Sequence, residues 1–170
     1  MTAIIVISLA LLTFTLFFLT FRNRRRHAAE RGLLPLDLGA FHTLMDREDE
    51  RFLRLNLSHS QFTHMKRRRI GVTWKYVNRI SDNSAAVLRM AGAERQNADP
   101  NVAEAAAHVA DLATRIRMQC LLAFVKLAVE YAVPAAQLSP AKLAPTYESL
   151  QQNLSILRSL SPNTPLWVPA

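Results

Sequence analysis

Five histidines, one cysteine and thirteen carboxylates are the side chains of this chain suited to acid–base, metal-binding or nucleophilic chemistry. Spacing is the first test of that chemistry. His42 and Asp46 stand four positions apart and can face one another on a helix, but a metal site needs three or four convergent ligands, so the pair reads as a surface contact. His59 lies between Ser58 and Ser60. Helix capping already accounts for those serines, and a nucleophile would need a base that is itself held by a third group. His64 and His108 have no partner at a metalloprotease spacing and receive no role. Cys120 opens an apolar stretch, which makes it a small core residue rather than a reactive thiol.

The acidic run DREDE at residues 46–50 lacks the spaced oxygen ligands and turn glycine of a calcium loop, whereas at a helix start such residues complement the backbone dipole. No glycine-rich phosphate cradle and no fixed-period repeat occurs. No catalytic residue, metal ligand or cofactor is therefore assigned.

Binding chemistry is concentrated in HMKRRRIGVTWKYV, residues 64–77, where four consecutive cations run into Trp74 and Tyr76. On a helix successive side chains turn by ~100°, so these cations point in four directions and cannot make one patch. Lys66 and Arg69 flank or enter the apolar stripe, while Arg68, Lys75, Arg79 and Arg89 share the opposite side, interrupted by Asp82. That basic side is either a solvated helix face or a surface for the anionic inner leaflet of a membrane, for which Trp74 and Tyr76 are also suited. Nucleic acid is disfavoured, because no recognition fold accompanies the charge.

The elements that must position these residues follow from the apolar pattern. Residues 3–21 carry no charge, proline or glycine; as a helix they would span roughly 28 Å, matching the ~30 Å hydrocarbon core. Five arginines, Arg22, Arg24, Arg25, Arg26 and Arg31, follow within residues 22–31. The expectation is a single-pass anchor over residues 1–21 in the cell (inner or plasma) membrane, with the N-terminus outside and the rest cytoplasmic. A basic juxtamembrane linker, residues 22–35, comes next. Together with Glu30 those five arginines contribute +4, and residues 66–69 contribute another +4, so the net charge of +8 leaves the remaining chain neutral. Half of the basic excess thus belongs to membrane topology rather than to a nucleic-acid surface.

Pro35 ends the linker, and the prolines that follow before the tail are at 100, 134, 140 and 145, with long proline-free intervals up to 134; the chain has only four glycines. This pattern predicts an all-α bundle over residues 36–160, one short helix and three longer ones. The short helix covers roughly residues 46–55. Ser58 with Gln61, and Leu57 with Phe62, mark a capped and stapled start for the first long helix, whose stripe comprises Phe62, Ile70, Thr73, Val77, Ile80, Ser84, Val87, Leu88 and Ala91. Residues 70–76 also alternate like a strand, but no other run alternates to pair with them. Asp99 and Pro100 open the second long helix. Its run 120–129 is apolar nearly all round and belongs at the centre of the bundle; a second membrane crossing over 118–133 is disfavoured by its length and by Lys126 and Glu130. The last helix starts near Thr146 and buries Tyr147, Leu150, Leu154, Ile156, Leu157 and Leu160.

A proline-rich tail, residues 161–170, places Leu166, Trp167 and Val168 between Pro165 and Pro169; it either packs back on the bundle or docks on a partner. The sequence thus points to a non-enzymatic, membrane-anchored interaction, scaffold or accessory subunit whose partners are the bilayer and other proteins, as in a larger membrane complex. Three alternatives stand beside it: a tethered enzyme whose pocket gathers two or more of His42, Asp46, His64 and Glu130; a lipid- or nucleic-acid-binding module that uses the basic face; and an envelope-side domain with reversed topology.

Overall fold

The structure is a computed structural model, described over residues 33–134, 138 and 143–161. The described residues are helical, with no strand among them: α1 is Leu38–Met45, α2 Arg47–Asn56, α3 His59–Glu94, α4 Pro100–Ala132 and α5 Leu143–Leu160. None of these helices is long and apolar enough to cross a membrane. The apolar run 3–21, the arginines at 22, 24, 25 and 26 and the tail residues Leu166, Trp167 and Val168 lie outside the described residues.

Caps set the helix boundaries. The Asp37 carboxylate accepts the Ala40 N–H at 2.9 Å and starts α1; Asp46, with extended backbone, ends α1 and accepts the Glu48 N–H to start α2. Ser58 and Gln61 bond reciprocally at the head of α3, and Asp99 with Pro100 opens α4, as their spacing predicted. The strand alternative over 70–76 is displaced by the uninterrupted 36-residue α3. Helix α1 was not foreseen: eight residues with Gly39 inside carry too little periodicity to stand out. Its position comes from Phe41, fully buried and stacked 5.6 Å from Tyr76 of α3.

Helix α4 is central, packing on α3 along one side and on α5 along another. Alanines 106, 110, 113 and 123 are buried along it, and such small side chains let neighbouring helices approach closely. Val77, Ile80, Ile116, Leu143, Leu150 and Leu157 fill the core with almost no exposed surface. Two expectations need correction. Helix α5 begins at Leu143 rather than Thr146, and its buried heptad is Leu143, Tyr147, Leu150 and Leu157, while Ile156 and Leu160 are exposed. Ile156 stands nine residues from Tyr147, half a turn round the helix at ~100° per residue. The run 120–129 is central but not enclosed: Leu121, Leu122, Val125 and Val129 remain exposed, because only two of the described helices flank α4 closely.

Candidate functional site

The basic run at the start of α3 resolves into four environments. Lys66 is buried, its ammonium 2.6 Å from Glu50 of α2 and 3.9 Å from Glu130 of α4, so a single cation ties three helices together. Glu130, itself buried, also accepts the Leu138 N–H. A cation and two carboxylates in such a place hold only as a set, since any one alone would be an unpaired buried charge. Arg69 donates to the carbonyls of Thr43, Leu44 and Asp46 at 2.8–2.9 Å, capping the end of α1 and its joint with α2. Arg67 lies 5.3 Å from the Tyr131 ring centroid. Arg68 is exposed.

Arg68, Lys75, Arg79 and Arg89 all lie on the exposed side of α3. Arg79 also reaches the Pro35 carbonyl at 3.3 Å. Trp74 does not share this side; it is half-buried, its ring centroid 4.8 Å from that of Phe124 in α4. Tyr76 is likewise engaged with Phe41. The offset of Trp74 from Arg68, roughly 120°, directs its ring between helices.

The segment before α1 is fastened to α3 by Asn83. Its side-chain oxygen accepts the Leu34 N–H at 2.8 Å, and its amide nitrogen donates to the Leu34 carbonyl at 2.9 Å and to the Tyr147 hydroxyl at 2.8 Å. Both amide hydrogens are thereby used, and one residue joins the N-terminal strap, α3 and α5. Above this joint, a cleft of about 260 Å³ opens between α3, α5 and the strap.

On α4 the exposed apolar residues form a stripe. Met118, Leu122, Val125 and Val129 recur at intervals of four, three and four, with Leu121 beside them and exposures from 42% to 62%. The only charged residues between Asp111 and Glu130 are Arg115, Arg117 and Lys126. Such a stripe is what a partner helix or groove covers.

Candidate acid–base residues are dispersed. His42 pairs with Glu148 of α5 at 3.1 Å on the surface rather than with Asp46, because the backbone turns at Asp46 and redirects that side chain. His64 and His108 are exposed. Asp46 and Glu130 do line one cavity, of about 30 Å³, alongside Glu50, Lys66 and Arg69. That space is suited to about one water molecule, not a substrate. Among the described residues no group of three or more His, Cys, Asp or Glu is placed to hold a metal. Burial pushes the Cys120 thiol up to about 12, with Arg117 opposing and Asp82 reinforcing, so it stays protonated. Burial also raises the Tyr147 hydroxyl above its ordinary value, against the hydrogen bond from Asn83.

Sequence reasoning missed the Lys66–Glu50–Glu130 set and Asn83. The signal was present in part: Lys66 enters an apolar stripe, Glu130 ends an apolar run, and opposite charges in such settings pair. The chain matches no protein-family model, no curated protein and no solved structure.

Proposed function

We propose that this chain is a non-enzymatic, membrane-anchored interaction or scaffold subunit that holds its helical bundle on the cytoplasmic side and offers it to protein partners. The observation that carries the reading is the stripe of Met118, Leu121, Leu122, Val125 and Val129, exposed on the central helix of the bundle. Because α4 packs on both α3 and α5, its backbone needs little further ordering to present these side chains. The anchor is supported by the uncharged run 3–21 and the five arginines behind it. The test places a photo-crosslinking amino acid at Val125 or at Arg68 in the full chain in its native membrane. Crosslinks to one discrete protein from position 125, lost in Leu122→Glu, support the reading; none from position 125 sinks it.

A second reading rests on Arg68, Lys75, Arg79 and Arg89, four exposed cations on one side of α3, which suit the anionic inner leaflet. It requires that lipid crosslinks arise from position 68, weaken with salt, and disappear when Lys75 and Arg79 are changed to Gln.

A further inference from the structure

The cleft between the strap, α3 and α5 has a distribution of chemistry that specifies a ligand. Its walls are Leu33, Leu34, Pro35 and Leu36 of the strap, Val87 and Met90 of α3, and Leu150 and Leu154 of α5. Asn83 and the Tyr147 to which it donates lie toward the start of α5, and Arg158 lies in its last turn. From Tyr147 to Arg158 the α5 wall runs roughly 16 Å at ~1.5 Å per residue.

The polar groups are unequal. Asn83 has both amide hydrogens in use within the protein, so it presents no donor to a ligand. Ser155 donates its hydroxyl to the Gln152 carbonyl at 2.7 Å. Arg158 is exposed and, among the described residues, is the only charged one lining the cleft, with no carboxylate beside it. An elongated apolar trough that ends on a guanidinium is complementary to one kind of small molecule.

We propose that this cleft binds a single-chain anionic amphiphile, its alkyl chain lying against Leu34, Met90 and Leu154 and its acidic head on Arg158. The apolar walls remove the chain from water. The guanidinium supplies paired N–H donors that match a carboxylate or phosphate. A cation at that end would meet like charge, so head-group sign is the discriminating property. Asn83 holds the strap through the Leu34 backbone, which leaves the Leu33, Leu34 and Leu36 side chains to pack on the chain.

The experiment uses the full chain in discs of zwitterionic lipid, labelled by a diazirine-bearing dodecanoate and mapped by peptide mass spectrometry. The expected labels fall on peptides containing residues 33–36, 87–90 and 150–158. Unlabelled dodecanoate should compete about tenfold better than dodecylamine, as a charge-assisted hydrogen bond predicts. Leu154→Trp, which fills the trough from a half-buried position, should remove the labels; Met90→Trp serves the same purpose if that variant misfolds. Arg158→Gln should keep the labels and erase the preference for the acid. Labels confined to other peptides, labels that survive both tryptophan variants, or an acid preference that survives Arg158→Gln would each overturn the proposal.

Discussion

In the basic run of α3, Lys66 turns inward onto Glu50 and Glu130, and Arg69 turns back onto the carbonyls at the end of α1. In the apolar run of α4, Leu121, Leu122, Val125 and Val129 turn outward to solvent while Cys120, Ala123, Phe124 and Leu127 are buried beside them. Charge is used inside and hydrophobic surface is left outside. Composition in a short window says how much apolar or charged surface a helix carries, but direction is set by the angle of each residue to its neighbours. Lys66 has two carboxylates waiting on other helices, and α4 has a side that no other described helix occupies.

The strongest way to break this comparison is Lys66→Met. If the ammonium is the inward tie between three helices, removing it leaves Glu50 and Glu130 facing each other's charge and should cost about 3–5 kcal/mol in urea unfolding. Adding Glu50→Gln and Glu130→Gln should recover most of the loss, since neutral groups need no counter-charge. A small cost for Lys66→Met alone would mean that the cation is not the tie.

The apolar run can be tested by a matched pair of truncations on α4. Ile116, fully buried, should cost about 2–4 kcal/mol on replacement by Ala, whereas Val125→Ala should change stability by less than ~0.5 kcal/mol, since its side chain is 62% exposed. Equal costs would remove the outward face and with it the proposed docking surface.

Titration sharpens the same contrast between adjacent residues. The folded Cys120 thiol lies at about 12, raised from 9.0 chiefly by burial. A group whose folded value is raised contributes its full stability below the unfolded value and loses it as pH climbs toward the folded one, because only the unfolded chain then releases the proton. Stability should therefore decline between pH 9 and 12, and Cys120→Ala should flatten that decline. While folded, Cys120 should resist thiol reagents at mild alkaline pH, whereas a cysteine placed at Leu122 should react readily.

Much of the helical frame was legible in the sequence because it rests on local chemistry. Ser58 with Gln61 and Asp99 with Pro100 cap the next turn from within a few residues, so their spacing alone locates the starts of α3 and α4. The stripe from Phe62 to Ala91 is a repeat along one helix and needs no knowledge of the neighbour, and all of it but Leu88 is buried. The angular dispersal of residues 66–69 likewise follows from helix geometry.

What the sequence could not decide was anything that depends on a distant residue. That Lys66 finds Glu130 across 64 positions, that Asn83 grips the Leu34 backbone, and that His42 meets Glu148 instead of Asp46 are facts of tertiary packing. The same holds for the open side of α4 and the cleft ending on Arg158. Secondary structure here answers to neighbours within one or two turns, whereas burial and pairing answer to which helices arrive at a given face, and only the folded chain settles that.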